Sequence, residues 1–236
     1  MSKDKLVSIA LDTKPTGAKV YIYQIDRDHQ PLRNTELFLG TSPIRAEVPP
    51  GMYFVVAVDN ENRFNEVYRT VPTPQEQPFS FSHEYWERAN GYLKLDEIEV
   101  RDFSTAHMVQ ADDCWIDVNE VEFSLVDGKT YVGNSKKSKN GKATNLRISN
   151  AISYMESRGK RIASFQQLFP VTKDNRVQND LAIDELTLSL AANSKLTKPR
   201  DFRLHSDNGY KKLPEFATNE DVGFRGVRSL KPYCDQ

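Results

Sequence analysis

Cysteine is scarce. Cys114 and Cys234 are the two in 236 residues, too few and too far apart for a disulfide framework, which fits a reducing compartment. Long apolar runs are missing as well: no stretch reaches the ~18 residues that a membrane-spanning helix requires. The start "MSKDKLVSIALDTKPTG" carries charge at Lys3, Asp4 and Lys5, with a broken apolar stretch from Leu6 to Leu11 that is too short for a secretory signal. A cytoplasmic location is the expectation. Neither sign of charge dominates, since 32 Lys and Arg against 33 Asp and Glu leave a net charge of −1. Such a chain has no global field to gather nucleic acid, acidic lipid or a strongly charged substrate. Nucleic acid is therefore not an expected partner, and any partner must be recognised locally. Histidine is sparse too. His29, His83, His107 and His205 are scattered without a helical i, i+4 pair, which removes the basis for a three-histidine metal site.

What is present suits two soluble domains. Hydrophobic residues make up 38% and charged residues 28% of the chain, enough to bury cores, and the length fits two units at the ordinary ~100–200 residues per domain. Residues 6 to 72 read as short antiparallel strands cut by turns. "LVSIALD" and "KVYIYQI" alternate, "TKPTGA" and "VPPG" are Pro/Gly turns, and Gly40 and Pro43 bracket a bend. Val20, Ile22, Tyr53, Val55 and Ala57 fall on one face, and Tyr21, Tyr23, Phe54 and Val56 on the other. Both faces need cover, so a small sandwich is expected. The Pro-rich stretch "TVPTPQEQPFSF" reads as a stiff spacer, placing a linker at residues 75–82.

The turn-strand segments "KPTGAKVYI" and "LGTSPIRAEVPPGMYFVVAV" resemble the PEGA domain family, a class of non-catalytic accessory modules. The resemblance covers residues 6 to 72, within a first domain spanning 1–74.

Beyond the linker the pattern changes. "CWIDVNEVEF" alternates as a strand before breaking at Asn119-Glu120. "GKTYVGNSKKSKNGKAT" reads as a basic, solvated loop carrying Lys136 and Lys137. Ile148, Ala151, Ile152 and Met155 then form a helical stripe that Gly159 stops. A second helix is expected from Ser164 to Phe169, closed by Pro170. Within residues 198–221, "RDFRLHSDNGY" reads as a strand and a hairpin turn. Arg203, His205, Asp207 and Tyr210, with Lys136 and Lys137, are the candidate partner contacts, because these residue types make directional contacts.

The run "IDVNEV" at 116–121, "ISNAISYMESRGKRIASFQQL" at 148–168 and "VGFRGVRSL" at 222–230 resembles, in order and approximate spacing, the formylglycine-generating, sulfatase-modifying-factor family. That family implies a C-type-lectin-like fold for residues 83–236. The expected fold class is α+β: a small N-terminal antiparallel β-sandwich joined to a mixed, loop-rich domain with two helices. The resemblance implies that Gly223, Phe224 and Arg225 form a closing clasp. Gly223 would allow close backbone approach, Phe224 would fill the core, and Arg225 would reach a loop carbonyl or a buried carboxylate such as Glu120 or Asp117.

Enzymes of the family act through two cysteines a few residues apart ahead of Gly-Phe-Arg, and residues 198–221 contain none. The helix signature also departs, with Gln167-Leu168 where the family has Glu-Trp. A degenerate, non-catalytic scaffold is the expectation, an active formylglycine-generating-type oxidoreductase with an unrecognised site being the alternative. No cofactor is expected from the residues. The resemblance adds structural calcium as an option, for which Asp207, Asn208, Asn219 and Asp221 are the candidate ligands. The pairing of the two modules resembles accessory parts of bacterial Ser/Thr kinase and conflict-system proteins, so a signalling or defence protein, a kinase among them, is the expected partner.

Overall fold

The computed structural model describes residues 6–25, 31–72, 87–89, 91–118, 136–137, 143–144, 148–163, 167, 184–188, 202–206, 209–213 and 222–235. The linker at 75–82, Glu120, Asp207, Asn208, Asn219 and Asp221 lie outside the described residues. Of the second expected helix only Gln167 is described, and it is helical. Strands in several sheets dominate, with one helix of any length among the described residues. No described helix is long and apolar enough to cross a membrane.

The chain divides into two compact units, Met1–Phe103 with Pro232–Gln236, and Ser104–Lys231. In sequence the second unit is thus an insertion into the first. This partition differs from the 1–74 and 83–236 division read from composition. Residues 92–94 and 98–99 pair with strands near the start of the chain, and a proline-rich composition carries no information about that pairing.

The first unit contains β1 (Val7–Leu11), β2 (Thr13–Lys14), β3 (Lys19–Gln24), β4 (Leu37–Thr41), β5 (Ile44–Val48), β6 (Gly51–Val58), β7 (Phe64–Val71), β8 (Glu87–Ala89), β9 (Tyr92–Lys94) and β10 (Ile98–Glu99). Two four-stranded sheets, β5-β1-β9-β8 and β4-β3-β6-β7, enclose one core. Alternation places the side chains as expected. Val20, Ile22, Tyr53, Val55 and Ala57 enter that core opposite Val7, Ile9, Leu11 and Val48 of the other sheet. Full burial of such side chains stabilises by about 1.5–3 kcal/mol each relative to exposure. Gly17 and Gly40 have φ of 107° and 128°, a region that L side chains rarely enter, which accounts for glycine at these two turns.

Within residues 6–72 the strands pair antiparallel, and two short strands from residues 92–99 add parallel pairs. β9 joins β1 in parallel and β10 joins β2 in parallel. Three main-chain bonds continue the parallel association, from Leu95 N to Ala10 O at 2.9 Å, Ile98 N to Asp12 O at 3.1 Å and Val100 N to Lys14 O at 2.7 Å, the register slipping by one residue between the two strand pairs. The buried Asn65 on β7 donates from Nδ2 to Glu99 O at 2.8 Å. A parallel partner has to arrive by a long crossover, and here it does so after β7.

Part of the outer face of the β4-β3-β6-β7 sheet is also covered. Tyr233, from the segment that returns after the insertion, stands edge-on to Tyr23 with ring centroids 4.9 Å apart and to Phe54 at 5.7 Å. These tilted aromatic pairs are the favoured geometry for rings with negative faces and positive edges. The buried Tyr23 hydroxyl donates to Glu36 Oε2 at 2.5 Å. Burial, with that carboxylate beside it, holds the Tyr23 hydroxyl far above its ordinary pKa.

The second unit contains β11 (Met108–Ala111), β12 (Cys114–Asp117), β13 (Lys136–Lys137), β14 (Ala143–Thr144), α1 (Ile148–Ser157), β15 (Arg161–Ile162), β16 (Asp184–Leu188), β17 (Phe202–Ser206), β18 (Gly209–Leu213), β19 (Val222–Phe224) and β20 (Gly226–Ser229). Its larger sheets have the orders β11-β12-β20-β15 and β18-β17-β16-β19. A small core of Ala111, Cys114, Ile116, Ala163 and Val227 packs the first of them. Helix α1 buries Ile152 and Met155 as the stripe requires, and Tyr154 besides. It ends where Gly159 takes φ of 64°. There Lys160 N bonds to Met155 O and Gly159 N to Glu156 O, the paired closure of a Schellman motif. Within the basic stretch, Lys136 pairs with Thr144 and Lys137 with Ala143 across a two-residue ladder.

Candidate functional site

Two constellations in the second unit gather the residues with chemistry. The first is built where β20 returns beside β12, pairing Cys114 with Ser229 and Ile116 with Val227. Arg225 precedes β20 and is fully buried. Its Nη1 donates to Asp117 O at 3.1 Å and to Val118 O at 2.6 Å. The expected clasp therefore engages loop carbonyls, and Asp117 takes part through its main chain. A planar guanidinium suits this role because its donors point in fixed directions and can satisfy two adjacent carbonyls at once.

The Asp117 carboxylate is used otherwise. Oδ1 accepts from Lys160 Nζ at 2.6 Å, and Oδ2 accepts from Gly226 N at 3.1 Å. The close approach itself falls at Gly226. A Cβ there would stand 2.6 Å from Asp117 Oδ2, 2.7 Å from Lys160 Cδ and 3.0 Å from Met155 Sδ. Gly223, to which the sequence reading assigned the close approach, pairs with Glu185 on β16. Nearby, Arg228 Nη1 donates to Gly159 O at 2.8 Å at the end of α1, and Arg161 Nη2 donates to Ser229 Oγ at 2.9 Å. Lys160, Arg161, Arg228 and Gly226 were not singled out from the sequence. "RGKR" after the helix reads locally as an ordinary basic helix end, and only the return of β20 turns it into part of a buried seam.

Burial pushes the Asp117 carboxyl above its usual range, against the opposing pull of Lys160, the Gly226 N–H and Arg225. With a raised folded pKa, the native chain keeps a proton that the unfolded chain has released. The stability this group contributes is full below the unfolded pKa and is lost as pH rises through the raised folded value. Thermal melts taken upward from about pH 3.8 should show that loss in the wild type. In Asp117→Asn this part of the pH dependence should vanish; superimposable profiles would show that the carboxyl is not the titrating group.

Chemically, this seam fastens loops. Its guanidinium groups donate to main-chain carbonyls and to a serine hydroxyl, and its carboxylate holds an ammonium and a backbone amide. Cys114 is buried, with Sγ 3.3 Å from Ala111 O, and Cys234 belongs to the other unit. No group of three or more metal-ligating side chains occurs among the described residues.

The second constellation is the sheet β18-β17-β16-β19. Register places Arg203 opposite Thr187 and Lys212, and His205 opposite Glu185 and Tyr210. Phe224 pairs with Leu186 on β16. Ser206 pairs with Gly209 in the antiparallel β17-β18 pair, and the expected turn residues between them lie outside the described residues. Three of the candidate contact residues are brought together in this way. Lys136 and Lys137 belong to the separate β13-β14 ladder. No family model matches the chain, and neither a curated protein nor a solved structure matches it.

Proposed function

We propose that this chain is a non-catalytic protein-interaction or ligand-binding protein, an accessory or sensor subunit of a bacterial signalling or defence system. In this reading a PEGA-like sandwich carries a degenerate sulfatase-modifying-factor-like domain. The observation that carries the reading is the register of β17 and β18, which sets Arg203 opposite Lys212 and His205 opposite Tyr210. Arg and Tyr are the residue types that most often anchor protein interfaces, and β18 is the terminal strand in the described sheet order. The buried seam supports a structural use of its charged groups, because Arg225, Arg228, Arg161 and Lys160 donate to carbonyls, a hydroxyl and a carboxylate of the protein itself.

Changing Arg203, His205 and Tyr210 together to alanine tests the assignment. The triple variant should melt as the wild type does, while the partner recovered from lysate of the source cells by the wild type falls at least about tenfold, the loss of one anchor of ~1.4 kcal/mol or more. Undiminished recovery by a folded triple variant would place the contact elsewhere. A Cu(I) titration with thiol labelling addresses the catalytic alternative, since stoichiometric high-affinity uptake would reject the non-catalytic reading.

A further inference from the structure

We infer that the outer face of the β4-β3-β6-β7 sheet is a seat for a tyrosine-bearing chain segment, occupied in cis by Tyr233 and open in trans to a Pro-Tyr segment of a partner protein. The residues that form the seat belong to the first unit, and the inference does not depend on the function proposed above.

Each part of the tyrosine meets a group suited to it. The ring edge packs against Tyr23 and Phe54 at interplanar angles of 89° and 80°. The Arg33 guanidinium carbon lies 4.6 Å from the ring centroid, the placement of a cation over an aromatic face. The hydroxyl donates to Pro31 O at 2.8 Å, and the Tyr233 N–H donates to Glu66 Oε1 at 3.1 Å. Phenylalanine would lose the Pro31 bond and an aliphatic residue the ring contacts, so the arrangement reads tyrosine in particular. Glu66 reads the main chain and so admits any segment that brings its tyrosine in along the same path.

Three observations make the occupant exchangeable. The occupying segment, Tyr233–Asp235, is a single 3-10 turn and adds no strand to the sheet. Tyr233 is only partly buried, and Arg33, which covers it, is exposed. The seat also continues onto open surface of the same face, where Phe38 is 51% exposed and its ring lies 5.1 Å from that of Tyr21. A longer segment in trans therefore finds an aromatic strip that Tyr233 leaves uncovered.

The probe is a fluorescent peptide of residues 231–236 carrying Cys234→Ser, titrated into full-length wild type and full-length Tyr233→Ala. A tethered occupant competes at an effective concentration of order millimolar, so Tyr233→Ala should bind the peptide at least about tenfold more tightly than the wild type. A peptide with phenylalanine in place of the tyrosine should bind several-fold more weakly, and Arg33→Ala placed in the Tyr233→Ala chain should weaken both. Hydrogen exchange on the wild type should show the Tyr233 amide opening faster than those of β6. Equal binding by wild type and a folded Tyr233→Ala chain, or equal binding of the two peptides, would overturn the proposal. So would a Tyr233→Ala chain that no longer folds, because Tyr233 would then be a core residue and not an exchangeable occupant.

Discussion

Arg225→Ala is expected to destabilise the second unit by about 3–5 kcal/mol, the cost of removing two hydrogen bonds from a charged donor and leaving their acceptors in the interior. The guanidinium is fully buried and its Nη1 bridges the carbonyls of Asp117 and Val118. The alanine chain would retain both carbonyls without this donor, and it would also leave a cavity the size of the lost side chain. The effect should reach beyond Arg225. Val118 N donates to His107 O, and Ala163 N donates to Arg225 O, so the same stretch of main chain ties β11, β12 and the residues after β15. Urea denaturation followed by circular dichroism should show the transition of the second unit moving to lower denaturant. Arg225→Met separates the causes, since it restores volume without donors and should recover the cavity part of the loss only. Superimposable transitions for wild type and Arg225→Ala would show that the buried guanidinium contributes no net stability.

Gly226→Ala should destabilise by roughly 1–3 kcal/mol, the range for forcing extra volume into a packed interior. The one carbon added meets three atoms, and two of them, Asp117 Oδ2 and Lys160 Cδ, belong to the ion pair that closes the site. Moving either strains the 2.6 Å contact between Lys160 Nζ and Asp117 Oδ1, and moving Asp117 also weakens its bond to the Gly226 amide. Because the clash and the pair share atoms, the effects of Gly226→Ala and Lys160→Ala should not add. Shortening Lys160 removes one of the clashing atoms, so the double variant should be less destabilised than the sum of the two singles. Strict additivity in a double-mutant cycle would show that the seam tolerates the methyl group by another route.

Much of the first unit was legible from local pattern. Alternation in "KVYIYQI" and "GMYFVVAV" put Val20, Ile22, Val55 and Ala57 on the core face and Tyr23 and Phe54 on the other, because side-chain direction in a strand repeats every two residues whatever lies beside it. Gly17, Gly40 and Gly159 marked turns and a helix end, because their backbone conformations belong to the residues themselves. The strand at Phe202–Ser206 was likewise readable, and it pairs antiparallel with Gly209–Leu213. The candidate site was less legible. Arg225 was recognisable as a clasp, but its acceptors were not, since an arginine is met equally well by a carboxylate or by two carbonyls.

By itself, then, the sequence determined strand faces, turns, the position of α1 and the absence of a close-spaced cysteine pair, each of which rests on neighbours within a few residues. Tertiary structure alone decided the parallel pairing of β9 with β1, the insertion of one unit into the other, the seam that joins Asp117, Lys160 and Gly226, and the seating of Tyr233 against Tyr23 and Phe54. Those contacts join residues tens to hundreds of positions apart. Local periodicity states only that a face must be covered, and which distant segment covers it depends on the closure of the whole chain.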